Sequence, residues 1–245
     1  MHNFPITIKP FGAYAVIIEW PNRVEEPILD NILQSMDAFQ KGGFLAPNWE
    51  MIPAYNSLTL IHCQAISSFK EIRNTLITLY NIKETRLLRQ KFLWRLPVCY
   101  DLDFGIDLPM VSEQLGLDVN QIIELHTTNV YIIYGIGFLP GFMYLGGLPD
   151  ALILPRRAAP RPKVQKGAVG LAGKQTGIYP QESPGGWHII GNCSVSMFNA
   201  AAENPCFVCV GDKVQFYQIS RAEYDLHKIE SEVGIYKLEK IKIDA

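Results

Sequence analysis

Hydrophobic and polar positions in the first part of the chain predict alternating strands and helices. Residues 13–20 carry the β-branched and aromatic side chains of a strand, which ends at Pro21. Apolar residues between 28 and 39 recur at helical spacing, and residues 69–80 repeat this pattern after a serine cap. Three further strand-like runs lie at residues 49–52, 58–63 and 91–98. The order β-α-β-β-α-β predicts a ferredoxin-like domain over residues 1–98.

The pattern changes in the rest of the chain, which we assign to a second domain, residues 99–245. Residues 99–128 predict two short helices around Gly116, with Asp107 and Asp118 as caps. This arrangement imitates a DNA-binding helix-turn-helix, but the acidic residues here face no Lys or Arg, so a phosphate backbone would be repelled. We therefore interpret the segment as a helical connector. Short strands separated by Gly/Pro turns follow it and predict a β-barrel or sandwich, so the whole fold is α+β.

Composition excludes several classes of protein. The 245 residues are 48% hydrophobic and 19% charged with a net charge of −2, which argues against general affinity for nucleic acid or membrane. No run of about 18 apolar residues occurs, and the N-terminus lacks a signal peptide pattern, so we expect a cytoplasmic protein. The five cysteines are scattered, and Cys206 and Cys209 have no second Cys/His pair nearby. We expect reduced structural thiols and no metal site.

One segment, from Gly135 to Gly191, is exceptionally rich in turn-forming residues. It holds 12 of the 19 glycines and 7 of the 16 prolines, and its six basic residues stand against two acids. Such backbone is suited to turns and to close approach of a ligand, and the local charge favours an anionic partner. Two phosphate-binding motifs are nearly matched here but fail. Ala168 and Gln175 replace the glycine and the hydroxyl residue of a P-loop, and Pro140 stands where a dinucleotide-binding helix would open.

The basic part of this segment is extended by prolines. Residues 155–163 can present Arg156, Arg161 and Lys163 to a carboxylate or a phosphate. The alternative is a solvated basic loop whose surface ion pairs contribute little to stability.

A second part of the segment has the sequence of a type II turn, Ser183-Pro-Gly-Gly, followed by Trp187 and His188. Nearby side chains supply donors and acceptors for a small polar ligand, with Trp187 as an apolar wall. These side chains are Gln175, Thr176, Tyr179, Ser183 and His188. The alternatives are a core position for Trp187 and a structural role for His188.

Four stretches of this segment resemble a known family. They are residues 137–149 (GFLPGFMYLGGLP), 155–161 (PRRAAPR), 172–180 (AGKQTGIYP) and 182–191 (ESPGGWHIIG). They closely resemble the family of 5-oxoprolinase B subunits, also called KipI or allophanate hydrolase subunit 1, which is related to the carboxyltransferase domains of urea carboxylase. Residues 51–58 and 96–100 look like the N-terminal landmarks of the same family. The family commonly has Val-Pro-x-Gly-Ser-Val where this chain has VQKGAV at 164–169, so we assign no catalytic role to Ala168.

The resemblance implies a ferredoxin-like domain followed by a cyclophilin-like β-barrel. It also implies a complex with the oxoprolinase A and C subunits, the latter allophanate hydrolase subunit 2-like, in which this chain is inactive alone. The complex would hydrolyse 5-oxoproline (pyroglutamate) to glutamate with ATP and Mg, bound on this chain or on a partner. Two alternatives stay open: a KipI-type inhibitor of a sporulation histidine kinase, and a carboxyltransferase-like subunit acting on urea or allophanate.

The reaction suggests roles for the candidate residues, which we state as hypotheses. Groups aimed at the lactam carbonyl or at phosphates would stabilise developing negative charge. We assign catalysis to Arg161 and His188. We assign substrate or ATP binding to Arg156, Lys163, Gln175, Thr176, Tyr179, Ser183 and Trp187.

Overall fold

The computed structural model describes residues 4–83 and 90–243. The chain divides into two compact units, one up to Gln90 and one over Lys91–Ile243. No helix in the described ranges is both long and apolar enough to cross a membrane.

The first unit is a four-stranded antiparallel sheet with two helices. Its elements are β1 (Thr7–Phe11), β2 (Ala15–Glu19), α1 (Glu26–Lys41), β3 (Trp49–Ala54), β4 (Ser57–His62) and α2 (Phe69–Ile82). The strands lie in the order β1-β2-β4-β3. The buried face of α1, which includes Ile28 and Ile32, packs in one core with Leu58 and Leu60 of β4. This burial of an amphipathic helix on a sheet is what the hydrophobic periodicity predicts.

The ferredoxin-like arrangement predicted for residues 1–98 is not confirmed. Its fourth strand is the N-terminal β1, and the predicted last strand, β5 (Lys91–Val98), belongs to the second unit. There β5 pairs in parallel with β13 (Lys213–Gln218). The buried Asp212 carboxylate also accepts hydrogen bonds from the Phe92 amide and the Trp94 indole. Periodicity marks β5 as a strand, but it cannot indicate which sheet a strand joins.

The second unit contains the remaining strands and three α-helices. Besides β5 and β13, its elements are α3 (Leu108–Leu115), α4 (Val119–Thr128), β6 (Val130–Ile136), β7 (Met143–Gly146), a 3-10 turn (Asp150–Leu152), β8 (Arg161–Val164), β9 (Ala168–Ala172), β10 (Gln175–Ile178), β11 (Ser183–Gly185), β12 (His188–Asn192), α5 (Arg221–Glu232) and β14 (Glu239–Ile243). Eight strands form one mixed sheet in the order β12-β9-β10-β7-β6-β13-β5-β14, and β8 pairs with β11 in a separate ribbon.

The barrel predicted for the second domain is not closed. Within residues 90–243, β12 and β14 lie at opposite ends of the eight-stranded sheet and do not pair with each other. The hydrophobic pattern also predicts strands at residues 194–198 and 206–210, but these segments are irregular chain. The fold is therefore mixed α and β with several sheets, and the cyclophilin-like barrel is not confirmed.

The predicted helical connector is present as α3 and α4. Gly116 ends α3 with the left-handed φ of 65° that glycine adopts without steric cost. Asp118 caps α4 in a capping box with Gln121. Asp107 precedes α3 but forms no side-chain cap hydrogen bond, because its carboxylate is engaged elsewhere.

Candidate functional site

The Asp107 carboxylate is the centre of a charged cluster in the second unit. Arg161 donates from Nη1 to Oδ2 at 2.8 Å and from Nη2 to Oδ1 at 2.6 Å, and Arg157 donates from Nη1 to Oδ1 at 3.2 Å. The Ile189 amide donates to Oδ2 at 2.7 Å. Asp107 is 4% exposed, and the side chains of both arginines are less than a third exposed. We call Asp107, Arg157 and Arg161 the Asp107 cluster.

Backbone hydrogen bonds hold the cluster in place. The Arg157 amide donates to the Gly186 carbonyl at 2.9 Å, and Arg161 is paired with Gly185 in the β8–β11 ribbon. The Asp107 amide donates to the Ile189 carbonyl at 2.9 Å. The proline-rich loop is therefore fixed on the turn that precedes β12, and Asp107 joins the start of β12 to the start of α3.

His188 begins β12 beside this loop and is 4% exposed. Its Nε2 lies 2.9 Å from the Pro155 carbonyl oxygen, which only accepts hydrogen bonds, so Nε2 carries the proton. In the neutral imidazole Nδ1 is then an acceptor, and it is buried without a hydrogen-bond partner among the described residues. Arg157 Nε, a donor, is also buried and unsatisfied there. Buried polar groups without partners are uncommon and costly, so each of these two atoms is a candidate contact for a polar group.

The cluster is less available to an anion than the sequence suggested. Two guanidinium groups face one carboxylate, which leaves a formal charge of +1. Arg161 uses both terminal nitrogens on Asp107 and therefore positions the loop. Arg156, one residue before Arg157, is exposed.

Two residues predicted to contact a ligand instead interact with neighbouring residues at the β8–β11 ribbon. Lys163 forms an ion pair with Glu182 at 2.9 Å, with both side chains more than half exposed. Ser183 is buried, and its Oγ donates to the Pro184 carbonyl at 3.2 Å. Gln175 lies half-buried at the start of β10.

Tyr179 and Trp187, two other predicted contacts, belong to the core. Both side chains pack edge-on against Phe142, with ring centroids 5.6 Å and 5.5 Å away. Burial raises the pKa of the Tyr179 hydroxyl. These two side chains therefore pack beneath the turn. For Trp187 this agrees with the alternative interpretation, a position in the core.

Thr176 is also completely buried, in a polar network that the sequence did not predict. Its Oγ1 donates to the Gly170 carbonyl at 3.0 Å and so accepts from His126 Nε2 at 2.9 Å. The Tyr100 hydroxyl donates to His126 Nδ1 at 2.7 Å. Burial lowers the pKa of His126 to about 3, which keeps the imidazole neutral. We call Tyr100, His126 and Thr176 the His126 network.

Arg157, Asp107 and His126 were not predicted as site residues, although the sequence contains partial signals for each of them. Arg157 stands beside Arg156 in the proline-arginine motif, and the motif alone does not indicate which of the two side chains binds Asp107. Asp107 has the position of a helix cap, and a capping aspartate resembles an ion-paired one until the partner is known. His126 lies on the buried stripe of α4 beside Ile122 and Ile123, which marks it as a core histidine.

Nothing in residues 4–83 and 90–243 forms a cluster of three or more His, Cys, Asp or Glu side chains suited to a metal ion. All five cysteines are free, including Cys206 and Cys209.

Comparison with known proteins identifies the family. A model described as carboxyltransferase domain, subdomain C and D, matches residues 6–208. The 5-oxoprolinase B subunit of Bacillus subtilis (strain 168) is 34% identical over 235 residues, which cover 91% of this chain and 97% of the relative. The protein of the same name from Escherichia coli O157:H7 is 40% identical over 167 residues, 68% of this chain and 76% of the relative.

Solved structures agree with this result. The crystal structure of TTHA0988 matches 84% of this chain with a TM-score of 0.73 and 33% identity, and the chain spans 40% of that longer protein. The K. lactis urea amidolyase matches 98% of this chain with a TM-score of 0.79, over 16% of its own length. Because the two sequences are only 15% identical, this match shows a similar fold and nothing about function. The resemblance predicted from the motifs is confirmed: the chain belongs to the carboxyltransferase domain, subdomain C and D, family, together with the 5-oxoprolinase B subunits.

Proposed function

We propose that this chain is the B subunit of a 5-oxoprolinase, a hydrolase that opens the lactam of 5-oxoproline to give glutamate. The observation that carries the proposal is the end-to-end similarity to the Bacillus subtilis protein of that name, which covers 97% of the relative. The likeness to the K. lactis urea amidolyase concerns the fold alone, so the urea or allophanate alternative has weaker support.

The buried atoms beside the Asp107 cluster support a lactam as the bound group. A lactam presents one N–H donor and one carbonyl acceptor on the same edge. His188 Nδ1 is an unsatisfied acceptor, and Arg157 Nε is an unsatisfied donor. We assign the lactam N–H to His188 and the lactam oxygen to Arg157, whose guanidinium would stabilise negative charge that develops on that oxygen. In this assignment Arg161 acts through Asp107 as a positioning residue.

ATP and Mg fit the described residues poorly. The arginines of the Asp107 cluster already bind a carboxylate, and Lys163 is paired with Glu182. Residues 4–83 and 90–243 also lack a cluster of acidic or histidine ligands for the metal. We therefore propose that ATP with its Mg binds on another component of the complex.

The complex is the working form in this proposal. The relatives are named as one lettered subunit of their enzyme, which implies further subunits. We propose the oxoprolinase A and C subunits as partners in the cytoplasm, with this chain inactive alone and without a nucleic-acid or membrane partner.

Co-expression of the three subunits tests both the function and the site. We expect ATP-dependent release of glutamate from 5-oxoproline by the complex. Replacing His188→Ala should reduce kcat/KM by about tenfold to a hundredfold, because a group that orients the substrate is removed. Lys163→Ala, in the exposed ion pair, is the matched control and should stay within about twofold of the parent.

The outcomes separate the two claims. Absence of turnover from the intact set would contradict the function and favour kinase inhibition or carboxyl transfer. Normal turnover in a folded His188→Ala complex would contradict the site while leaving the function in place.

A further inference from the structure

Helix α5 carries a regular apolar stripe on its exposed side. Ala222, Leu226, Ile229 and Val233 follow one another at intervals of four, three and four residues, which places them along one side of the helix. All four are exposed, the three larger ones to 54%, 60% and 63%. The Val233 amide donates to the Ile229 carbonyl at 3.0 Å, so the C-cap residue continues the stripe. We call these four residues the α5 seam.

The opposite side of α5 attaches the helix to the second unit. Tyr224 is 7% exposed, and its hydroxyl donates to Asn192 Oδ1 at 3.0 Å. The Ser196 amide donates to Ser231 Oγ at 3.1 Å. At 3.6 residues per turn, Tyr224 lies about 200° of rotation away from Leu226. The helix therefore has two faces with different roles, and the α5 seam is the accessible one.

The spacing of the α5 seam indicates what kind of surface would cover it. Single exposed apolar residues are common and need no explanation. Intervals of four, three and four residues are the heptad pattern d, a, d, a, in which side chains pack as knobs into the holes of a second helix. The seam is about 16 Å long. It also lies beyond residues 6–208, the part of the chain that the carboxyltransferase family model matches.

The charges beside the α5 seam indicate the character of that second helix. The e and g positions of the heptads are all acidic: Glu223, Asp225, Glu230 and Glu232. In the described ranges, Asp225 is the member of this set that pairs with an arginine or lysine, Arg221 at 3.3 Å, and Glu230 lies 3.1 Å from His227. Arg221 stacks over Phe104 of the second unit. The seam therefore has a negatively charged border.

This border disfavours two other occupants of the α5 seam. Two copies of α5 paired along it would bring acidic side chains together in both the parallel and the antiparallel orientation. An anionic lipid surface would repel the same carboxylates. A helix with basic flanks gains ion pairs where these two occupants meet repulsion.

We propose that the α5 seam docks an amphipathic helix of a partner protein, with an apolar stripe bordered by Lys and Arg. The apolar side chains of that helix pack between Leu226, Ile229 and Val233, and its basic side chains pair with the acidic border. This mode of recognition lays one helix on another through residues at three- and four-residue intervals. It follows from α5 alone and does not require the reaction proposed above.

A synthetic peptide tests the seam directly. The probe has three heptads with isoleucine at a, leucine at d and lysine at e and g, and it is titrated calorimetrically into the full chain. We expect saturable binding with a Kd of about 100 µM or tighter, weakening as salt screens the ion pairs. A matched peptide with glutamate at e and g should bind at least about tenfold more weakly.

Variants of α5 locate the binding. Ile229→Ser should raise the Kd of the lysine peptide by about tenfold, because an apolar contact at the centre of the seam is lost. Serine and isoleucine have similar helix propensities, so thermal unfolding should match that of the parent. Glu232→Lys should weaken binding of the lysine peptide and strengthen binding of the glutamate peptide. Ile52→Ser, at an isoleucine that is 38% exposed in the first unit, is the control and should leave Kd within about twofold.

Three results would overturn the proposal. The first is no binding of the lysine peptide at about 1 mM. The second is equal binding of the two peptides, which would show that the acidic border does not select the partner. The third is self-association of the chain, measured by sedimentation equilibrium, that Ile229→Ser abolishes, because the occupant of the seam would then be a second copy.

Discussion

Arg161 and Asp107 meet edge to edge through two parallel hydrogen bonds of 2.8 Å and 2.6 Å, although 54 positions of sequence separate them. Asp107 is the residue before α3, and Arg161 is the first residue of β8. The pair therefore ties the helical connector to the Gly/Pro-rich segment. A bidentate arginine–carboxylate contact fixes orientation as well as distance, so it determines how the loop lies on β12.

Removing the charge of Asp107 should destabilise the second unit. Asp107→Asn leaves two partly buried guanidinium groups without their carboxylate, and we expect a loss of about 2–4 kcal/mol in the free energy of unfolding. Asp118→Asn is the matched control, because asparagine caps a helix as well as aspartate does, and it should cost less than about 0.5 kcal/mol. Urea unfolding measures both. Equal losses in the two variants would show that Asp107 acts only as a cap.

Arginine geometry, and not charge alone, should matter at position 161. Arg161→Lys keeps the charge but loses the second hydrogen bond, so we expect a loss of about 1–2 kcal/mol in stability. Lys163→Arg, in the exposed pair with Glu182, should change stability by less than about 0.5 kcal/mol. Denaturant midpoints at two salt concentrations measure the effect. A silent Arg161→Lys would contradict the positioning role.

The candidate site was partly predictable from the sequence. The turn chemistry of Ser183-Pro-Gly-Gly and the prolines around Arg157 and Arg161 correctly mark the segment, because glycine and proline restrict the backbone locally. The partner of the arginines was not predictable, because Asp107 lies far away in the chain and a cap position explains it equally well. Thr176 was misassigned for a related reason: a hydroxyl on a strand has the same pattern whether it faces a ligand or a buried histidine.

The Thr176 hydroxyl should be required for stability. Thr176→Val conserves shape but leaves the buried Nε2–H of His126 and the Gly170 carbonyl without their partner. We expect a loss of about 2–3 kcal/mol, typical of unsatisfied buried groups. Thr176→Ser keeps the hydroxyl and should cost only about 1 kcal/mol for the lost methyl group. Chemical denaturation distinguishes the two, and a valine variant as stable as the serine variant would argue against the His126 network.

Acid should destabilise the protein through His126. Its folded-state pKa of about 3 lies below the unfolded value of 6.5, so the unfolded chain binds the proton first. The stabilisation is complete above about pH 6.5 and is lost as the pH falls toward 3, with a contribution of about 2 kcal/mol lost by pH 5. His126→Gln should show a shallower decline in the free energy of unfolding between pH 7 and pH 5. Identical pH dependence in the two proteins would contradict a buried neutral imidazole.

Gly167 should be irreplaceable by alanine. It has a φ of +82°, and a Cβ there would overlap Asn192 Oδ1 and the Cys193 carbonyl. Gly173 also has a positive φ, of +59°, but a Cβ would meet nothing within 4 Å. We expect Gly173→Ala to cost about 1 kcal/mol for the backbone conformation, and Gly167→Ala to cost at least about 2 kcal/mol more. Thermal unfolding of the two variants provides the measurement, and similar losses would contradict the close packing.

The fold was also predictable where it depends on neighbouring residues and not where it depends on pairing between distant segments. Helices α1, α2, α3 and α4 follow from apolar spacing and caps, which are local. The strand β1 escaped detection because Ile8 is its one buried residue, so its pattern resembles a loop. The sheet that contains β5 depends on pairing with β13 and β14, and no local feature of residues 91–98 encodes those partners.

The placement of β5 has a consequence for how the protein is made. Both hydrogen-bonding edges of this strand are filled by segments near the end of the chain, β13 and β14. About 115 residues separate Val98 from Lys213, so roughly 6 to 20 s of synthesis pass before the first partner leaves the ribosome. The first unit, built from neighbouring segments, has no such delay. Until β13 is synthesised, the first unit is followed by an apolar strand with two open edges, a kind of segment that is prone to pair with other chains.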